Sequence, residues 1–284
     1  MRNFVVTSIV LAALVSLVGC DKDAPITPLP SPDIELESLP KDTGGQQLPY
    51  PLGSNASPYG YYVYTPSAYS ASGPKFPLMI FMHGAGELGN SLTDPAELKR
   101  ILVNGPPMLI DKKRWVPMYP MIVASIQCHE SSWDPVKVKK FTEYMMANFQ
   151  VDTSRIYMTG LSLGAIGTWD VLCTYGKSSH VTAAIPISGS TSSTDTRVKL
   201  AAQIPIWAFH GENDRVVYPT YDKAIWAAIN GTNPLVRAKL TIFSEFEHDC
   251  WTVTYDGRGM TARQDPGYDT FGMDIYKWLF RFKK

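Results

Sequence analysis

The chain has 284 residues, 45% hydrophobic and 18% charged, a balance that supports a large apolar core and excludes a disordered chain. Lysine and arginine number 26 and aspartate and glutamate 26, so there is no overall positive field to hold nucleic acid. Four cysteines without a C-x-x-C pair exclude a disulfide-built scaffold and a thiolate zinc site.

In chain order, Met1-Arg2-Asn3 carries one positive charge, and residues 4–18 form an apolar run too short for a comfortable membrane span. Such a run reads as a secretory signal. It closes on Leu17-Val18-Gly19-Cys20, which resembles the lipobox of bacterial lipoproteins. That resemblance implies a signal peptide over residues 1–19, a diacylglyceryl group on Cys20, and a lipid anchor to a membrane of the bacterial cell envelope, on its periplasmic or cell-surface side. Residues 20–49 contain Pro25, Pro28, Pro30, Pro32 and Pro40 and then Gly44-Gly45, without helical or strand periodicity, and are expected to form an extended tether. Residues 50–284 remain for one α/β domain.

Within that domain, short apolar runs at residues 60–64, 78–82, 121–125, 156–159, 184–187, 206–209 and 240–243 read as strands. Between several of them lie helix-like segments. Residues 134–148 open on an Asp-Pro cap with Val138, Phe141, Tyr144 and Met145 at helical spacing, and residues 218–229 and 268–282 read similarly. Alternation of this kind predicts a mostly parallel sheet with helices on both faces.

Gly160-Leu161-Ser162-Leu163-Gly164 follows the strand at 156–159 and opens an apolar helix running to about residue 175. Two glycines around the serine let a strand turn sharply into a helix, holding the hydroxyl above the sheet at a helix N-terminus; this is the context of a nucleophile elbow. A serine nucleophile needs a base and an orienting carboxylate. Asp214 lies in the loop after the strand at 206–209 and His248 in the loop after the last strand, giving the order Ser162, Asp214, His248. Glu212 and Asp249 are rivals for the carboxylate. His83 and His210, each before a glycine at a strand end, are expected to tie loop backbones. The oxyanion hole should combine the N–H of Leu163 with one from His83-Gly84-Ala85-Gly86-Glu87, with Ala85 preferred and Gly86 as alternative. No metal-ligand spacing and no G-x-G-x-x-G occurs, so neither metal nor cofactor is expected.

Met82-His83-Gly84-Ala85-Gly86-Glu87-Leu88-Gly89 together with Gly160-Leu161-Ser162-Leu163-Gly164-Ala165-Ile166-Gly167-Thr168-Trp169-Asp170 resembles a subgroup of α/β-hydrolase serine esterases. The subgroup is related to dienelactone hydrolases, polyhydroxybutyrate depolymerases and the carbohydrate esterases that remove feruloyl or acetyl groups from xylan. The similarity runs from about residue 59 to 282. It implies an α/β-hydrolase fold, with a mostly parallel central sheet of about eight strands. It further implies ester hydrolysis through an acyl-enzyme, with acyl groups on plant polysaccharide as substrate. Members are often labelled peptidases of the prolyl oligopeptidase type, which makes a peptidase the alternative enzyme. A non-catalytic carbohydrate-binding lipoprotein on a degenerate hydrolase fold is the alternative from another class. Gln127-Cys128-His129 departs from the subgroup, which writes a proline after the cysteine. Trp133 in this loop and Trp251, three residues after His248, are expected to shape the substrate pocket. A Cys128–Cys250 disulfide stays open, and Cys173 reads as a buried helix residue.

Overall fold

The computed structural model describes residues 34–284. Cys20, the signal peptide and the first part of the expected tether lie outside the described residues. In chain order the elements are α1 (Ile34–Glu37), β1 (Gln46–Tyr50), β2 (Gly60–Thr65), β3 (Phe76–Met82), α2 (Gly105–Asp111), β4 (Ile122–Gln127), α3 (Pro135–Asn148), β5 (Val151–Leu161) and α4 (Leu163–Tyr175). They continue with β6 (Ala183–Ile187), α5 (Asp195–Ala201), β7 (Trp207–Gly211), α6 (Thr220–Gly231), β8 (Lys239–Phe243), α7 (Trp251–Tyr255) and α8 (Ile275–Leu279).

The strands form one eight-stranded sheet in the order β1-β2-β4-β3-β5-β6-β7-β8. β1 and β2 run antiparallel to their neighbours, and β3 to β8 are mutually parallel. Period-two alternation divides the apolar side chains between two cores. Leu78, Ile80, Met82, Ile156 and Met158 pack on one face under α3 to α6, against Phe141, Trp169, Val198 and Ile225. Met79, Phe81, Tyr157, Ile185 and Phe209 pack on the other against Leu109 of α2, Tyr255 of α7 and Trp278 of α8. Every residue of β3 is buried, as expected of a strand covered on both faces.

Elements differ from the sequence expectation where local polarity hid a tertiary role. The sheet begins before residue 50. β1 pairs with β2 from Gln46↔Thr65 to Tyr50↔Tyr61, with Pro49 tolerated because an edge strand leaves one row of groups unpaired. Arg155, at the start of β5, pairs with Glu35 of α1 at 3.2 Å, which puts α1 at the end of β5 remote from Ser162. The helix expected over residues 268–282 shrinks to α8. The Asp269 carboxylate accepts from Leu240 N and Arg237, and its carbonyl accepts from Thr241. These bonds tie Asp269 to β8, and helix starts only where Asp274 caps Lys277 N. α5 carries no clear periodic signal between its Ser/Thr-rich flanks, yet Val198 and Ala201 bury its inner face.

Candidate active site

The sheet's strand order reverses between β3 and β5, where α/β sheets open a crevice beyond their C-terminal ends. β5 enters this crevice and turns into α4 through Ser162, whose backbone sits at φ 51 and ψ −118, a conformation that a non-glycine residue holds only under constraint. The constraint is visible. Ser162 N–H donates to Ile187 O at 2.9 Å. A Cβ on Gly160 would stand 2.3 Å from Gly164 O, and one on Gly164 would stand 2.0 Å from Met82 O. The glycines are thus needed for close backbone approach, the second pressing the start of α4 against the end of β3. Gly164→Ala should therefore destabilise the fold by about 3 kcal/mol or more, lowering Tm by about 6–12 °C; thermal unfolding checks this, and an unchanged Tm would contradict the packing.

Although Ser162 is the N-cap of α4, its side chain makes no capping bond. Its Oγ lies 2.9 Å from His248 Nε2, and His248 Nδ1 lies 2.7 Å from Asp214 Oδ2. The structure thus brings together three side chains drawn from the loops after β5, β7 and β8. Asp214 is buried, and its other oxygen, Oδ1, accepts from the backbone of Val216 and Val217 at 2.8 and 3.0 Å. Burial by itself would raise its pKa; hydrogen bonds from His210, His248 and the two amides outweigh that and hold it well below the usual carboxylate range. The rival carboxylates are otherwise engaged. Glu212 pairs with Lys223 at 3.0 Å, and Asp249 caps Thr252.

Leu163 is the first residue of α4 and Ala85 the first of a short 3-10 turn, so both amides occupy first-turn positions that lack an intrahelical acceptor. A Cβ on Gly84 would meet Ser162 Cβ at 3.5 Å, which places the Ala85 loop beside the serine. His83 anchors that loop as expected. Cys128 N–H donates to its Nε2, leaving Nδ1–H to donate to Gly84 O at 2.6 Å. Burial pushes its pKa down to about 4, so the ring is neutral in this single tautomer.

The two tryptophans differ. Trp251 is half-buried, its ring edge-on to His248 at 5.1 Å between centroids, with Nε1 donating to Asn104. Trp133 is 4% exposed, stacks edge-on against Tyr59 and His83, and donates to His83 O. Its indole is buried against Gly167 of α4. Cys128, Cys173 and Cys250 are free thiols; Cys128 donates to the carbonyls of Glu130 and Ser132, and Cys250 meets Ser188 Oγ.

His210, expected to tie loop backbone, does touch Val217 O, but its main partners are carboxylates. Nδ1 meets Asp222 Oδ2 at 2.8 Å and Nε2 meets Asp214 Oδ2 at 3.2 Å. Burial alone would lower its pKa; the bonds to Asp214 and Asp222 prevail and push it up to about 9. No local pattern announced Asp222, which reaches His210 from α6. Since the folded value exceeds the ordinary 6.5, the stability His210 contributes is complete below about pH 6.5 and is lost as pH rises through about 9. Urea unfolding should show stability declining from pH 6.5 to 9, with a flatter slope in Asp222→Asn; a level wild-type profile would contradict the assignment.

No family model and no curated protein sequence matches the chain. Solved structures do. A thermostable esterase aligns with TM-score 0.56 at 23% identity over 84% of this chain, which spans 63% of that protein's length. The feruloyl esterase module from Clostridium thermocellum, as a mutant complexed with sinapinate, aligns with TM-score 0.54 at 15% identity, covering 89% of this chain and 92% of the module. Acetyl xylan esterase from Aspergillus awamori aligns with TM-score 0.52 at 15% identity, covering 75% and 99%. The fold is that of the α/β-hydrolases. At these identities the likeness speaks for architecture, and the chemistry is argued from this chain's own residues.

Proposed function

We propose that the protein is a serine hydrolase that cleaves carboxylic esters through an acyl-enzyme, with acetyl or feruloyl groups on plant polysaccharide as its substrates. One observation carries this reading: the continuous line from Ser162 Oγ through His248 to the buried Asp214 carboxylate. In that line His248 Nδ1–H donates to Asp214, which leaves Nε2 unprotonated and able to take the Ser162 proton as Oγ attacks the ester carbonyl. The amides of Leu163 and Ala85 are assigned to the oxyanion, where one donor is worth about 10²- to 10³-fold in turnover. His248 then returns the proton to the departing alcohol, and water, activated by the same imidazole, releases the acid and frees Ser162.

An extended sugar polymer suits the surroundings of the site. A shallow cleft of about 810 Å³, lined by Ile166, Ser190, Thr191, Arg197 and Tyr221 among others, begins one helical turn from Ser162, and Ser188 at the root of its loop donates to His248 O. Hydroxyls and an exposed tyrosine face are the groups that hydrogen-bond and stack on pyranose rings. Trp251, beside His248, is assigned to the substrate pocket, and Trp133 to packing. Feruloyl and acetyl xylan esterases among the structural neighbours agree with this choice over a peptidase.

A hydrolysis screen of protein lacking residues 1–20, with acetyl, feruloyl and lipid esters and a peptide anilide, tests the reading. Turnover of the first two classes with labelling of Ser162 by a fluorophosphonate is expected. Anilide turnover exceeding ester turnover would transfer the assignment to a peptidase, and no labelling would remove it. We also assign Cys20 as the lipidated residue of an envelope anchor. Radiolabelled palmitate should enter the full-length chain and fail to enter Cys20→Ser.

A further inference from the structure

A serine triad uses one imidazole and one carboxylate, yet here a second imidazole occupies the same carboxylate oxygen, and its protonation follows from its partners. Val217 O, 2.8 Å from His210 Nε2, can only accept, and Asp214 Oδ2 on the same nitrogen is a carboxylate acceptor, so Nε2 bears a hydrogen. Nδ1 faces Asp222 Oδ2. The other Asp222 oxygen accepts from the Trp169 indole N–H at 2.8 Å, a donor that leaves Asp222 no reason to hold a proton there. Between an imidazole and a carboxylate the imidazole is the stronger base by about two units, so the proton resides on Nδ1. Both ring nitrogens carry hydrogen. His210 is then a cation with no exposure, between two carboxylates that are themselves buried, and each ion is paired as a buried charge must be.

We propose that His210 is a positioning residue: an internal imidazolium, clamped by Asp222 and Trp169, that fixes the Asp214 carboxylate and shares its Oδ2 with His248, so that hydrolysis extends to lower pH than an unshared carboxylate would allow. The geometry supplies both halves. Asp214 receives two backbone amides on Oδ1 and two imidazoles on Oδ2, leaving its plane little freedom to rotate. The positive ring beside it offsets part of the field that holds a proton on His248. The other titratable or charged groups around this cluster are Arg215 and Glu247, both exposed and adjacent in the chain to Asp214 and His248, Lys223 and Glu212, paired with each other between α6 and the loop after β7, and Asp249 and the Cys250 thiol in the loop after β8. Burial pushes that thiol's pKa up, so it stays neutral. The Asp170–Arg197 pair bridges α4 and α5. None of these supplies a cation to Asp214 in place of His210.

The effect on hydrolysis rests on the proposed triad; the charge on His210 does not. His210→Gln keeps a donor toward Asp214 and removes the cation. Its acid limb of kcat/KM against pH, measured with p-nitrophenyl acetate, should move up by about one pH unit, with kcat on the plateau lowered several-fold. The His248 ring resonances, followed by NMR without substrate, should titrate higher by the same amount. A variant whose kcat falls equally at every pH, with both midpoints unmoved, would overturn the proposal and leave His210 a packing residue. If the wild type hydrolyses no ester, the functional reading fails and the NMR titration still decides the present one. If His210→Gln does not fold, ¹⁵N spectra of histidine-labelled wild type decide. Two N–H protons on one buried imidazole between pH 6 and 8 support the clamp, and a single N–H there overturns it.

Discussion

Replacing Ser162 by alanine should lower kcat for aryl-acetate hydrolysis by roughly 10⁶-fold, the loss found when a triad serine is removed, with little change in stability. The two halves of this expectation have separate causes. The Ser162 hydroxyl is the group that His248 Nε2 faces at 2.9 Å, so its loss removes the nucleophile itself. The same hydroxyl makes no cap bond to α4, so alanine forfeits no helix-capping energy, and it holds φ 51 no worse than serine does. The nearby Ser188 cannot take over, because it is buried and its hydroxyl is committed to His248 O and the Cys250 thiol. The amides assigned to the oxyanion stay in place, so a residual rate about 10³-fold above water is expected. Steady-state turnover of p-nitrophenyl acetate checks the loss and thermal unfolding checks the fold. Retention of more than about a hundredth of wild-type kcat would remove Ser162 from the nucleophile's role.

Much of this arrangement is written locally in the chain, and the part that is not has a common physical origin. The G-x-S-x-G segment announces itself because the elbow's requirements are local: strand before, helix after, and glycines where Met82 O and Gly164 O leave no room for a side chain. β3 and β5 are legible for the same reason, their apolar runs matching strands covered on both faces. β1 was hidden because an exposed edge strand alternates weakly, with Gln46 and Leu48 open to solvent, and the prolines before it suggested a tether. The burial of Trp133 is not legible in its loop, because it is set by α4, whose Gly167 lies far away in sequence. His210 shows the limit most clearly. Its spacing from Asp214 is local in the chain, whereas its charge depends on Asp222 and Trp169, from two helices that meet only in the folded core.

Asp214→Asn should lower kcat by about 10⁴-fold, and the structure gives a particular reason for so large a loss from a nearly isosteric change. The two backbone N–H groups of Val216 and Val217 point at Oδ1, so an asparagine must place its carbonyl oxygen there to accept them. Its NH₂ group then falls where Oδ2 had been, against His248 Nδ1 and His210 Nε2. A donor facing His248 Nδ1 selects the tautomer in which Nε2 carries the hydrogen, and that nitrogen can no longer take the Ser162 proton. Against His210 the same NH₂ meets another N–H, so the clamp loosens as well. Flipping the amide restores the imidazole contacts only by turning NH₂ toward two backbone donors. Neither neighbouring carboxylate is free to substitute, since Glu212 is paired with Lys223 and Asp249 caps α7 through Thr252. A crystal structure of the variant should show Oγ of Ser162 still within reach of an imidazole that cannot accept from it. A kcat reduced less than about tenfold would mean that some other group orients His248.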